Sequence, residues 1–330
     1  MLRLFLCCVS VSGVLMGCQN LMGDTGAVEL SYAPSGSDDK GWELVWSDEF
    51  EGAELDATKW EKEISCWGGG NNERQCYTDR PSNVRVEDGV LKLIALPEVF
   101  SGPEFPQGWD GEEGRPDIHQ DYTSGKVRTR ERAAWTYGRF EARMKLPKGQ
   151  GTWPAFWMLP AENVYGGWAA SGEIDIMEAV NLGTACQDCE GPSGENRSSG
   201  ALHFGGMWPD NSFKMKHKTL PGGEQAADNY HVFAVEWGEG QIDWFVDDEK
   251  FFTLKAKDWH SATVEKRQNV NAPFDQDFYL MLNLAVGGAM PESLNDKGFD
   301  TDSFPAELHV DWVRVYQCAG DRETGRRCMR

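Results

Sequence analysis

Positive charge is scarce in this chain of 330 residues: 32 Lys and Arg stand against 53 Asp and Glu, a formal net charge of −21. So acidic a chain repels phosphates, which argues against nucleic acid as a partner. It also disfavours sulfated or uronic-acid polysaccharides unless a local basic patch overrides the net charge. A neutral glycan is the natural partner. No run of like charge is long enough to act as an interaction tail. Long apolar runs are missing too. The stretch Leu4 to Leu15 comes nearest, and it falls short of the roughly 20 apolar residues that a mature membrane-spanning helix needs. Helical periodicity is confined to short stretches such as Asp258 to Glu265, and there is no internal repeat or second composition zone. The glycine-rich run Cys66-Trp67-Gly68-Gly69-Gly70-Asn71-Asn72-Glu73-Arg74 lacks the Lys and Ser/Thr of a phosphate loop. Cys186-Gln187-Asp188-Cys189 has the spacing of a zinc or redox motif, but no second Cys/His pair stands nearby to complete a zinc site.

The chain does carry an export signature. Arg3 followed by the apolar Leu4 to Leu15 reads as a signal peptide. The segment ends Leu15-Met16-Gly17-Cys18, which resembles a bacterial lipobox. Residues 1–18 are thus expected to be a lipoprotein-type leader with Cys18 lipidated, an ordinary secretory cleavage site being the alternative. Gln19, in place of Asp, after Cys18 implies passage to the outer membrane or cell surface. Residues 19–40 are small, polar and rich in Gly, Ser and Asp, as in a flexible tether. Nine cysteines are present. Cys7 and Cys8 leave with the leader and Cys18 takes lipid. The even remainder in an exported chain suggests disulfides, with fifteen connectivities open. The sequence-local pairs Cys66–Cys76, Cys186–Cys189 and Cys318–Cys328 are the simplest arrangement.

Apolar and polar residues alternate through Gly41 to Phe50, Val84 to Val86, Val90 to Leu93, Gly138 to Met144, His231 to Trp237, Ile242 to Val246 and His309 to Tyr316. Turn signals separate these runs at Asp88-Gly89, Pro147-Lys148-Gly149, Gly238-Glu239-Gly240 and Asp247-Asp248. Many short strands with few helical patterns indicate an all-β, antiparallel sandwich. One domain over 41–319 is expected, with a tail, 320–330, that Cys318–Cys328 would pin down. Pro97 to Tyr122 and Ala185 to Arg197 read as long loops of the kind that shape binding sites.

The most informative segment is Glu173-Ile174-Asp175-Ile176-Met177-Glu178. In a strand successive side chains point to opposite faces. Glu173 and Asp175 share one face and Ile174 and Ile176 the other, but a regular strand would send Glu178 into the core. A β-bulge at Ile176-Met177 returns Glu178 to the acidic face. Two carboxyl groups on one wall suit glycoside hydrolysis, where one protonates the leaving oxygen and the other acts as nucleophile or base. Retaining enzymes hold them ~5–5.5 Å apart. Four effective steps of roughly 3.3 Å exceed that, so the sheet is expected to curve.

Neighbouring residues point the same way. Fourteen Trp and eight Tyr supply rings that stack on sugars or fill a sandwich core. Trp153 and Trp157 are four apart, hence on one face of a strand, and Trp168 leads into the acids. His203 sits in the alternating Ala201-Leu202-His203-Phe204, where it either bonds a sugar hydroxyl or the acid-base carboxylate, or is a plain satisfied histidine. Asn71 and Arg74 suit hydroxyl recognition. Asn283 lies among apolar residues and needs a partner if buried.

Together, Glu-Ile-Asp-Ile-Met-Glu, the preceding Trp-Pro-Ala-Phe-Trp-Met-Leu-Pro, Gly-Gly-Asn-Asn-Glu-Arg-Gln, Thr136 to Arg143, Asn283-Leu284-Ala285-Val286-Gly287-Gly288 and Asp311 to Tyr316 resemble glycoside hydrolase family 16, in its bulged laminarinase branch. The likeness extends over most of 41–317. It implies a β-jelly-roll sandwich of two curved antiparallel sheets, with the substrate in the concave face. It implies Glu173 as nucleophile, Glu178 as general acid/base and Asp175 as the assisting acid. Cys76 stands where relatives often carry an aromatic, and the Cys186–Cys189 insertion is unusual.

The implied activity is endo-acting, retaining hydrolysis of β-1,3-glucan by a monomer that needs no cofactor for catalysis, with mixed-linkage glucan as a second substrate. The implied partner is that neutral β-glucan, and the only membrane contact is a lipid anchor. Agarose or carrageenan hydrolysis and transglycosylation are alternatives within the family. A non-catalytic glucan-binding protein, which would lack the acids, and an adhesion lipoprotein are alternatives outside it. A structural calcium is a further implication, with Asp311 as the candidate ligand.

Overall fold

The computed structural model describes residues 41–106, 115–186, 194–222, 227–265, 268–295 and 298–329. The expected leader, Cys18, the tether and Cys189 lie outside the described residues. In chain order the strands are β1 (Trp42–Asp48), β2 (Glu61–Lys62), β3 (Gln75–Tyr77), β4 (Val84–Glu87), β5 (Val90–Gly102), β6 (Ile118–Ser124), β7 (Lys126–Arg128), β8 (Gly138–Lys145), β9 (Thr152–Pro160), β10 (Glu173–Ala179), β11 (Arg197–Gly205), β12 (Asn211–Thr219), β13 (His231–Gly238), β14 (Gln241–Val246), β15 (Glu249–Lys255), β16 (Phe278–Val286) and β17 (Ala306–Cys318). They form two sheets. One runs β15-β14-β13-β8-β17-β5-β6-β3, with β1 added on β17 and β4 on β5; the other runs β12-β11-β10-β9-β16-β7-β2. The described strand-to-strand ladders are antiparallel except β3 with β6, which is parallel. This is the jelly-roll sandwich that the alternation and the family resemblance imply.

Short turns obey local chemistry. Glu87 pairs with Val90 across Asp88-Gly89, and Val246 with Glu249 across Asp247-Asp248. All four turn residues have positive φ, between 48° and 74°. Two consecutive left-handed residues make the hairpin turn whose twist matches the flanking strands, and Asp and Gly tolerate it best.

The core lies between the sheets. Phe140, Phe233, Val235, Trp237 and Trp244 from the larger sheet meet Phe156, Met158, Ile174, Leu202, Leu280, Leu282 and Leu284 from the smaller. β16 explains why its sequence carries no polar alternation. Phe278, Leu280, Leu282, Leu284 and Val286 enter the core, yet Tyr279, Met281, Asn283 and Ala285 on the opposite face are buried as well. The outer face of the smaller sheet is therefore a covered groove.

Several expectations need correction. Asp258–Glu265 is not helical; Ser261 makes a parallel bridge to Gly205, and the one α-helix among the described residues is α1 (Ala289–Ser293). Much of Pro97–Tyr122 is strand, because β5 runs on to Gly102 and pairs with β6. Pro97 is accommodated where the register slips between Pro97 and Phe100, since a bulge tolerates a residue that donates no ladder bond. Cys66–Cys76 and Cys318–Cys328 are disulfides. Cys186 is disulfide-bonded, while its expected partner Cys189 lies outside the described residues.

Candidate active site

The acidic strand β10 lies between β9 and β11. On the β11 side Glu173 pairs with His203, Asp175 with Ala201 and Glu178 with Ser199, so three steps on β10 meet two on β11. On the β9 side Asp175 faces Trp157, and the register shifts before Met177 meets Phe156. This is the expected bulge. Ile174, Ile176 and Met177 all enter the core, and Glu173, Asp175 and Glu178 share the groove face. The facing sheet buttresses this irregularity. Trp244 Nε1 donates to the main-chain carbonyl of Asp175 at 2.8 Å. The indole passes over Gly200 on β11, where an added Cβ would stand 2.3 Å from its ring.

Each acid has its own surroundings. Glu173 Oε2 accepts from Trp168 Nε1 at 2.8 Å, and Glu178 Oε1 accepts from Trp153 Nε1 at 3.0 Å. Burial pushes Glu173 up to about 7, against the pull of the Trp168 donor, the Lys126 charge and a hydrogen bond with Asp175. Burial likewise pushes Glu178 up to about 7, with the Glu173 and Glu73 carboxylates adding to it and the Trp153 donor opposing it. Asp175 is raised well above the ordinary range by burial and then by the charges of Glu173 and Glu178. Asp175 is thus held toward its protonated form, while the Trp168 and Asp175 hydrogen bonds favour charge on Glu173. Glu178 keeps a protonated fraction that an ordinary Glu would not.

The structure brings most of the sequence-singled residues to this groove, not all in the role expected. Trp153 and Trp157 share the groove face. The ring of Trp153 is buried in a small cluster with Val180 and Ala285, so it meets the site through its N–H. Trp157 donates to Asn283 Oδ1 at 2.7 Å, and Asn283 in turn donates to Tyr77 Oη at 3.0 Å, which supplies the partner that a buried Asn requires. Trp168 is 41% exposed and its ring lies beside His203, which stacks on Phe213. Asn71 reaches Glu73 and the Gly69 carbonyl. Arg74 is committed elsewhere: it forms a two-pronged bridge to Glu292, both prongs at 2.8 Å, and lies over the Phe299 ring.

Asp311 binds Arg143 Nη1 through Oδ2 at 2.5 Å. With one cation already on that carboxylate, the side chains there do not make a calcium site by themselves, and a calcium would have to draw on main-chain oxygens. Among the described residues, the one group of three or more His, Cys, Asp or Glu side chains placed to share an ion is Glu173, Asp175 and His203.

Sequence reasoning missed Lys126, Tyr77 and Glu73. Lys126 lies over the Trp157 ring and within 3.3 Å of the buried Glu63. Glu73 is buried, accepts from Gln75 and Asn71, and is itself raised by burial. The alternation of Lys126-Val127-Arg128 was a usable signal; the short strand β3 offered none. Beyond Glu178 the groove opens into a cavity of about 260 Å³, lined by Glu178, Arg197, Ser199, His217, Met290 and Asn295 among others.

Comparison with known proteins accords with this geometry. The family model described as "Beta-porphyranase A-D, GH16 domain" matches residues 42–318. The chain is 41% identical over 285 residues to the glucan endo-1,3-beta-glucosidase A1 of Niallia circulans, across 84% of this chain and 38% of that protein. It thus spans well under half the length of that relative. It is 38% identical over 308 residues to the beta-glucanase of Rhodothermus marinus, across 92% of each chain. The solved structure of the laminarinase from Rhodothermus marinus matches with a TM-score of 0.64 at 36% identity, over 83% of this chain and 97% of that one.

Proposed function

Because the chain belongs to glycoside hydrolase family 16, we propose that it is a retaining endo-glycoside hydrolase that cleaves β-1,3-glucan by double displacement, with mixed-linkage β-1,3-1,4-glucan as a further substrate. The observation that carries this reading is the bulge in β10, which sets Glu173, Asp175 and Glu178 on one groove face.

Glu178 in its protonated form donates to the glycosidic oxygen while ionised Glu173 attacks the anomeric carbon. The leaving sugar departs toward the cavity beyond Glu178. Glu178, now a carboxylate, takes a proton from water as that water opens the glycosyl-enzyme, and the cycle restores both acids. The Trp168 and Asp175 hydrogen bonds stabilise charge on Glu173, as a nucleophile requires. Burial, with the like charges of Glu173 and Glu73, holds the proton on Glu178, as an acid requires. Trp168, Trp157 and Asn283 line the sugar-binding groove, and Asn71 stands at its edge. The mature chain is exported, anchored by lipid on Cys18 and active as a monomer. No step involves calcium.

Kinetics with two substrates test the roles. Glu173→Ala is expected to abolish hydrolysis of both laminarin and an aryl β-glucoside with a good leaving group. Glu178→Ala should lose ~10²–10⁴-fold on laminarin and much less in the first burst on the aryl substrate, whose departure needs no acid. Full laminarin hydrolysis by either variant would overturn the assignment. The matched family description, which names β-porphyranases, makes a β-porphyran-type polysaccharide the second reading, although its sulfate groups run against the acidic net charge. Product analysis on laminarin, lichenan, agarose and porphyran separates the two.

A further inference from the structure

The floor of the groove can carry a second chemistry. Glu173, Asp175 and His203 each offer one ligand atom, and the three atoms lie within 4.8 Å of one another. His203 Nε2 is 3.7 Å from Glu173 Oε1 and 3.4 Å from Asp175 Oδ2. Zinc sits ~2.0–2.1 Å from imidazole nitrogen and carboxylate oxygen in tetrahedral sites, which puts two ligand atoms on one ion about 3.3–3.4 Å apart. The 3.4 Å spacing matches that, and the 3.7 Å spacing is wider.

A second observation points the same way. Asp175 is 3% exposed, and its Oδ2 accepts no hydrogen bond. A buried polar oxygen without a partner is costly, and a cation that displaces the proton shared with Glu173 would satisfy it. An imidazole with two carboxylates suits zinc; magnesium and calcium favour all-oxygen sets. The His203 and Glu173 side chains are 21% and 12% exposed, so the fourth coordination position opens to the groove, as in sites that keep a water.

We propose that one Zn²⁺ ion binds Glu173 Oε1, Asp175 Oδ2 and His203 Nε2, and that it reversibly blocks hydrolysis by occupying the carboxylate that attacks the sugar. The binding stands on the geometry alone; the block rests on the functional reading above.

Titration calorimetry of the purified chain with ZnCl₂ tests it. One ion per chain is expected, bound at least tenfold more weakly by His203→Gln and by Asp175→Asn, with no comparable binding of MgCl₂. Melting curves without zinc identify which variant is folded, and either one suffices. At saturating zinc, laminarin hydrolysis should fall at least tenfold and return on adding EDTA. Absence of stoichiometric binding, or binding unchanged in a folded variant, overturns the site. Zinc binding that is lost in the variants but leaves wild-type hydrolysis intact supports the site, and overturns instead the assignment of Glu173 as the attacking group.

Discussion

Trp244 Nε1 reaches across the sandwich to the main-chain carbonyl of Asp175, 2.8 Å away, at the point where the β10 ladder is interrupted. A bulge leaves ladder groups without strand partners, and a buried carbonyl in that state costs about 1–3 kcal/mol. The indole therefore stabilises the irregularity that aims the acids. Trp244→Phe keeps most of the ring and removes the donor. It should lower stability in urea unfolding by ~1–3 kcal/mol and reduce kcat/KM about tenfold through misplacement of the acids. Gly200→Ala drives a methyl into the same ring and should cost ~1–3 kcal/mol by overpacking. Unchanged values in both variants would detach the bulge from its support.

The pH profile should separate the two tryptophan donors. On the roles proposed above, hydrolysis needs Glu178 protonated and Glu173 ionised, so the alkaline limb is expected to follow Glu178 and the acid limb Glu173. Trp153 lowers Glu178 and Trp168 lowers Glu173. Trp153→Phe removes the first donor, and the alkaline limb of kcat/KM should move to higher pH. Trp168→Phe removes the second, and the acid limb should move to higher pH, which narrows the profile. Limb positions that do not move, or that move in the opposite sense, would contradict the assignment of each acid to its limb.

The same acids work against stability. Glu178 is held at about 7 in the folded chain, above its ordinary 4.5. The unfolded chain then gives up this proton first, so folding stability declines as pH rises from the unfolded value through 7, and the whole penalty is present above it. Glu178→Gln imitates the protonated side chain. It should be more stable than wild type at pH 8, by a ceiling of about 3 kcal/mol, and no more stable at pH 4. Thermal melts at the two pH values measure this. A gain at pH 4 that equals the one at pH 8 would rule the charge explanation out.

The Cys66–Cys76 bridge closes a loop of sequence separation 10 that holds Asn71, Glu73 and Arg74 and leads into β3, where Tyr77 meets Asn283. Replacing both cysteines by Ser should cost ~2–3 kcal/mol on the loop-entropy account. KM for laminarin should rise more than kcat falls, because the loop borders the groove and does not carry the three acids. Denaturant melts and initial-rate kinetics check both halves.

The acidic face, its bulge and the sandwich were legible in the sequence, because alternation of period two is local and three carboxylates on one side of an apolar strand leave few other readings. Partners distant in the chain were not. Trp244 reads as plain core until its N–H is seen to bond a carbonyl 69 residues away. Arg74 reads as a sugar ligand until Glu292, 218 residues on, is seen to hold it. The strand from Pro97 to Gly102 was hidden by its Pro and Gly, which mark loops in general but here sit at a slipped register. Trp153 shows the limit of face assignment: four residues from Trp157 it shares the correct side, yet Val180, Ala285, Met290 and Leu294, distant in the chain, bury its ring.

Met177 is the spare residue of the acidic strand. Without it the segment would read Glu-Ile-Asp-Ile-Glu, whose plain alternation already sends all three acids one way. The chain can thus gain or lose one residue at this point and keep the polarity of the strand. What such a change alters is the local bend and twist of the backbone beneath the second glutamate.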